Sequence, residues 1–254
     1  MSAETLDAVS HGYAVHSPPA GRGEGVEPTL VALTALDAPR IIAPRSSLGR
    51  RLGSAGKNVL DALVSALALA VVLPAILLLV LLIRLESPGR ALFRQTRVGR
   101  NGRHFTCFKL RTMFVDADDR LRVLLHDDAD VRHEFASSRK LKADPRVTRV
   151  GRFLRATSLD ELPQLFNVLR GDMSLVGPRP LVPDELVKYG QHIDVVLQVR
   201  PGLTGIWQVS GRNDLPYDMR IALDTGYATS RTFWGDLWII GRTIPALALR
   251  RGAY

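Results

Sequence analysis

The apolar run VLDALVSALALAVVLPAILLLVLLIRLE, residues 59–86, carries one polar residue, Ser65, between Ala62 and Ile83. As a straight helix that stretch is about 33 Å long, enough for a hydrocarbon core of ~30 Å. A buried core helix is the alternative, but so long an apolar run reads first as a membrane segment. Two features argue against simple crossing. Arg45, Arg50, Arg51 and Lys57 precede the run, and Arg84, Arg90, Arg94, Arg97 and Arg100 follow it, so the positive-inside tendency pulls both ends to the cytoplasm. Pro74, near the middle, removes a backbone donor and clashes with the carbonyl four residues back. A helix broken at Pro74 that enters and leaves by one face satisfies both; a spanning helix carrying a proline stays open.

The pattern changes on either side. Residues 1–50, with the Pro/Gly-rich HSPPAGRGEGVEP, show no usable hydrophobic period and are expected to be a disordered extension. No apolar core follows a basic start there, so a signal peptide is not expected. In ALFRQTRVGRNGRHFTCFKLRTM (91–113), alternation flanks Asn101-Gly102 and predicts a β-hairpin. Residues 114–136 have helical spacing and many charges, predicting solvated amphipathic helices. FVDADD and HDDAD lack the glycine and closing glutamate of a calcium loop. The tail TFWGDLWIIGRTIPALALRRG mixes Phe233, Trp234 and Trp238 with arginines, the composition of a helix in a membrane interface. The expected architecture is α+β and mainly helical. It has a membrane-embedded re-entrant helix (51–86), a compact cytosolic catalytic domain at the membrane surface (87–254) and interfacial amphipathic helices.

Charge adds a partner class. Lys and Arg number 34 against 25 Asp and Glu, a net +9 over 254 residues, which suits an anionic partner: nucleic acid, anionic lipid or a phosphorylated substrate. No aromatic platform or recognition helix accompanies the basic residues, so nucleic acid is not expected. The single cysteine, Cys107, excludes an internal disulfide. The chain has neither a GxxxxGK[ST] loop nor a GxGxxG, and its six histidines lack metal-ligand spacing.

Within this basic chain, TSLDELPQLFNVLRGDMSLVGPRP (157–180) places two carboxylates side by side, Asp160 and Glu161. One reading is a capping box, with Ser158 at the N-cap and Glu161 at N3, and both carboxylates in a first helical turn where the dipole keeps them ionised. The other starts from the neighbours. Arg155, Arg170 and Arg179, the last held between Pro178 and Pro180, suit a phosphorylated ligand, because guanidinium grips phosphate in a bidentate way. Carboxylates beside phosphates suit Mg²⁺, and a carboxylate can attack phosphorus to form an acyl phosphate. That combination points to phosphoryl-type transfer near a membrane. A non-catalytic membrane-surface scaffold, with the pair only as a cap, is the competing function.

FRQTRVGRNG…FTCFKLRTM, DPRVTRVGRFLRATSLDELPQLFNVLRGDMSLVGPRP and VRPGLTGIWQVSGRN together resemble the bacterial sugar transferases, the monotopic polyprenyl-phosphate phosphoglycosyl transferases, over roughly residues 55–250. The resemblance implies transfer of a sugar 1-phosphate from a UDP-sugar to polyprenyl phosphate (undecaprenyl or decaprenyl), with release of UMP. It implies an initiating role in exopolysaccharide, capsule or glycoconjugate assembly. Asp160 matches the family's nucleophile, which forms a covalent phosphosugar intermediate, and Glu161 its Mg²⁺ ligand. Arg155 and Arg179 match its phosphate-binding arginines; Arg200, Arg212 and Lys109 are further candidates for phosphate or nucleotide contact. Pro74 matches the Ser-Pro break of the re-entrant helix, with Leu73 in place of the serine. The implied location is the bacterial cell (inner) membrane, with the catalytic domain on the cytoplasmic face. The implied partners are the lipid bilayer and downstream glycosyltransferases. Oligomeric state is open, a homodimer among the options.

Overall fold

The computed structural model describes residues 47–138, 141 and 144–248. The expected N-terminal extension lies outside the described residues up to residue 46. The first helix, α1, runs Ser47–Glu86, so it begins inside that extension. β1 (Leu92–Val98) and β2 (His104–Leu110) form an antiparallel hairpin in which Val98 faces His104 and Leu92 faces Leu110. Asn101 (φ 59°) and Gly102 (φ 73°) turn it, as the Asn-Gly pair predicts. Two surface helices follow, α2 (Ala117–Asp127) and α3 (Ala129–Ser138). α4 (Arg149–Thr157) and α5 (Gln164–Arg170) flank a 3₁₀ turn at Leu159–Glu161.

β3 (Ser174–Val176) then pairs in parallel with β4 (Gly202–Thr204). The crossover between them contains two one-turn helices, α6 (Leu186–Tyr189) and α7 (Ile193–Val196). α8 (Ile206–Ser210), α9 (Tyr217–Ser230) and α10 (Phe233–Ala248) complete the chain. The described residues are thus mostly helical, with two small sheets.

α1 is long and apolar enough to cross a membrane, yet one stripe of it packs on the rest of the protein. Asp61, Ser65, Leu79 and Ile83 are buried along that stripe, while Leu63, Leu67, Val71, Leu77, Leu81 and Leu85 stay exposed. Leu79 and Ile83 form a core cluster with Ala91, Leu110 and Leu154. Both ends are fastened. Near the start, Lys57 bonds Asp236 at 2.7 Å, and Asp61 accepts from the Ser174 hydroxyl at 2.6 Å. At the end, the Glu86 carboxylate accepts the backbone N–H groups of Arg149 (2.6 Å) and Val150 (2.9 Å), capping α4. Burial pushes the Glu86 carboxyl up, and these bonds outweigh it, so it sits below its ordinary value.

The helical backbone of α1 continues through Pro74, so the chain is not unwound there. Pro74 removes only its own donor to the carbonyl of Ala70, and the hydrogen-bond ladder on either side carries the helix across. In α10 the apolar residues Phe233, Trp234, Leu237, Ile240 and Ile244 are exposed, and Asp236 and Ile239 are buried, so the helix is amphipathic as its composition suggests.

Candidate active site

α4 sets the position of the acidic pair. Its N-cap, Thr148, accepts from the Gly151 N–H at 2.8 Å. Gly151 packs so closely on the Thr112 carbonyl that a β-carbon would collide with it. One turn later the Arg155 Nε donates to the Thr112 hydroxyl at 2.9 Å. The helix ends at Ser158, in the left-handed region (φ 57°), and the chain turns at once into Leu159–Glu161. Leu159 packs on the α1 cluster, and the two carboxylates follow it.

The capping box is therefore absent. Ser158 ends α4 and opens only the 3₁₀ turn, and its side chain makes no cap bond. Glu161 instead takes a hydrogen bond from Lys109 Nζ of β2 at 2.7 Å. Burial pushes the Glu161 carboxyl up, but Lys109, Arg179 and Arg97 overcome this and hold it below the usual carboxylate range. Asp160 goes the other way. Burial, and then the Glu161 charge beside it, push its carboxyl up to about 6 against the pull of Lys109 and Arg155. The helix dipole expected to act on Asp160 is replaced by a single 3₁₀ turn, which offers little dipole, so burial sets the direction of the shift.

Arg179 reaches the pair because the Pro178-Arg179-Pro180 segment is pinned. The Gly202 N–H donates to the Pro178 carbonyl (2.7 Å). The Arg97 guanidinium donates to the Pro180 carbonyl (2.9 Å). The Val98 N–H donates to the Leu181 carbonyl (2.8 Å). Arg179 lies 5.9 Å from the ring centre of Trp207, and Arg220 lies 5.1 Å from it. Beneath them is a buried carboxylate, Asp224, which accepts from the Tyr189 hydroxyl at 2.9 Å. Burial pushes Asp224 up to about 7, although Tyr189, Trp207 and Arg179 all pull it down. The indole N–H of Trp207 approaches that carboxylate without reaching hydrogen-bond geometry.

Of the expected site residues, Asp160, Glu161, Lys109, Arg155 and Arg179 come together. Two do not. Arg200 turns away, donating to Asn58 of α1 at 2.9 Å, with Asp61 and Asp172 as its nearest acids. It lines a cavity of about 20 Å³, room for a water, with Lys57, Arg100 and Arg231. Arg212 sits at φ 52° in the turn after α8, and makes no hydrogen bond or ion pair with the acidic pair among the described residues. Sequence reading of the arginine-rich loop could not separate a guanidinium that anchors a helix from one that faces a ligand. Arg97, Asp224 and Tyr189 were missed as site-supporting groups. Arg97 shares one face of β1 with Phe93 and Gln95, whose partners in β2 are Lys109 and Cys107, and this was the one available signal.

No group of three His, Cys, Asp or Glu side chains converges on a metal position among the described residues. The adjacent carboxylates supply a pair of hard oxygen donors, and Lys109 engages only one oxygen of Glu161. This set fits Mg²⁺ in its usual mode, with one or two carboxylates and the remaining ligands from substrate phosphate and water.

The profile of the bacterial sugar transferases matches residues 52–250. The chain belongs to the bacterial sugar transferase family. Among its relatives is the exopolysaccharide production protein ExoY of Rhizobium meliloti, 43% identical over 88% of this chain and 99% of the relative. The undecaprenyl-phosphate galactose phosphotransferase of Salmonella typhimurium is 45% identical over 83% of this chain and 44% of its own length. The UDP-glucose:undecaprenyl-phosphate glucose-1-phosphate transferase of Caulobacter vibrioides is 44% identical over 84% and 77%. This sugar transferase therefore spans less than half of one such relative and nearly all of another.

Proposed function

We propose that the chain transfers a sugar 1-phosphate from a UDP-sugar to polyprenyl phosphate, releasing UMP, as the first membrane step of exopolysaccharide or related glycan assembly. One observation carries the reading: an ion-paired glutamate and a half-buried aspartate of raised pKa adjoin each other among Lys109, Arg155 and Arg179, beside an apolar helix. The relatives' names supply the reactants.

In the first step an Asp160 oxygen attacks the sugar-bearing phosphorus. The bond from that phosphorus to the UMP oxygen breaks, and its electron pair leaves with UMP. The product on the protein is an aspartyl phosphosugar. A phosphate oxygen of the acceptor then attacks the same phosphorus, and the Asp160 carboxylate departs. With its carboxyl at about 6, Asp160 is mostly ionised at neutral pH yet more basic, and so a better nucleophile, than an exposed aspartate. Arg155 and Arg179 grip the diphosphate; Lys109 holds Glu161 in place. Mg²⁺, held by Glu161 and the substrate phosphates, would screen the diphosphate and stabilise charge on the leaving UMP.

The fastening of both α1 ends to one folded unit favours a helix that enters the membrane without crossing it, with the exposed face of α10 at the same interface. The reaction is tested by UMP release from a panel of UDP-sugars with polyprenyl phosphate and Mg²⁺. Release with a particular sugar, lost in Asp160→Asn and on chelation, supports the proposal. Full activity in Asp160→Asn removes Asp160 as the nucleophile, and no release with any UDP-sugar from folded protein returns the chain to a scaffold.

A further inference from the structure

Three arginines of the basic flank, Arg84, Arg90 and Arg94, take no part in the site above. They meet around a groove of about 520 Å³ where α1 ends and the chain enters β1. Gly89 makes the meeting possible. It lies at φ 116°, and a β-carbon there would press on Arg111 and Val115, so the chain can reverse tightly and bring Arg90 and Arg94 beside Arg84.

The chemistry of the groove is two-sided. It is lined by the apolar residues Val80, Ala91 and Leu92 and by the three arginines. None of the three forms an ion pair with a carboxylate among the described residues; Arg94 only overlies the Phe108 ring at 6.0 Å. Arg84, in the last turn of α1, is explained by the helix dipole. Arg90 and Arg94 lie outside the helix and are not. On the turns of α1 around the groove, Leu77, Leu78, Leu81 and Leu85 are exposed apolar residues. Such a site suits a ligand that joins a phosphate to a long hydrocarbon chain; a soluble phosphate would use half of it. A phosphomonoester, with about −1.5 to −2 charges near neutral pH, matches three unpaired guanidinium groups better than the single charge of a phosphodiester lipid.

Position adds to this. Ala91, which lines the groove, belongs to the same buried cluster as Leu110 and Leu154, and Leu159 packs on that cluster one residue before Asp160. Groove and acidic pair therefore flank one small core. We propose that the groove of Arg84, Arg90 and Arg94 binds the phosphate headgroup of the lipid acceptor and delivers it to the phosphosugar on Asp160. This rests on the reaction proposed above.

Two readouts test it on the full chain in nanodiscs of neutral lipid. The first is direct binding of farnesyl phosphate, which needs no turnover. It is expected to be saturable, about tenfold weaker in the Arg84→Gln/Arg94→Gln double variant, and little affected by farnesol, inorganic phosphate or added phosphatidylglycerol. Equal affinity in the variant, or full competition by phosphatidylglycerol, overturns the proposal; the latter would make the groove a general anchor for anionic lipid. The second readout is kinetic. The variant is expected to keep acceptor-free UMP release and to show a raised KM for polyprenyl phosphate. An unchanged KM refutes the assignment. A wild type that binds farnesyl phosphate through these arginines yet releases no UMP counts against the reaction, not against the groove.

Discussion

Asp160 is a residue whose removal should make the protein more stable and inactive. Its folded-state carboxyl, at about 6, lies above the ordinary 3.8, so the folded chain binds that proton more tightly than the unfolded chain. The stabilising effect is complete below pH 3.8 and is lost as pH rises through about 6. At pH 7.5 Asp160 is therefore a burden. Asp160→Asn should raise stability by about 1–3 kcal/mol in chelator-treated protein, read as a higher denaturant midpoint. A helix-cap role would give the opposite sign, a loss of about 1 kcal/mol. The pair was legible in the sequence because its two members and Arg155 are near neighbours in the chain, as is the Pro-Arg-Pro segment. The direction of the Asp160 shift was not, because burial comes from packing that no local pattern encodes. Asp224 was hidden for the same reason: its hydroxyl partner lies 35 residues away, and its own segment reads as an ordinary helix.

At the scale of elements, α4 joins the apolar helix to the chemistry. Glu86 closes the N-terminal end of α4, Gly151 sits against the Thr112 carbonyl, and Arg155 and the acidic pair follow. Glu86→Gln should cost about 0.5–2 kcal/mol, since a neutral amide replaces a carboxylate at a helix N-terminus. Because the folded-state carboxyl lies below its ordinary 4.5, the stability it brings is present above that pH and fades as pH falls below it. Wild type and variant should thus converge in acid unfolding. Gly151→Ala should cost about 1–3 kcal/mol from overpacking and should lower kcat with the donor, because the helix carrying Arg155 must shift. Thermal melts and UMP-release kinetics check both. The hairpin was readable from Asn101-Gly102 and its alternation. The end of α4 at Ser158 was not, because Ser158-Leu159-Asp160-Glu161 carries a helix-start signature, and Lys109 outcompetes the local cap for Glu161.

Across the whole molecule, α1 is held at both ends by the unit that bears the site. Lys57 pairs with Asp236, 179 residues along the chain, and Glu86 with α4. The apolar run announced the helix; these ties could not be read from it, since each joins distant segments through a single side chain. A helix so tied should present both flanks to one compartment. Cysteines introduced at Gly56 and Arg103 should label from the same side of intact membranes, and labelling from opposite sides would contradict the monotopic arrangement. Buried Cys107, with its thiol pushed up by burial, leaves little background. The central claim is that the sugar phosphate passes through Asp160, and a single-turnover experiment without acceptor addresses it most directly. Incubated with its UDP-sugar and Mg²⁺, the chain should release one UMP per molecule and gain one sugar phosphate in mass on the peptide containing Asp160, discharged when polyprenyl phosphate is added. UMP release that requires the acceptor, with the peptide unmodified, would mean direct displacement and would contradict the account.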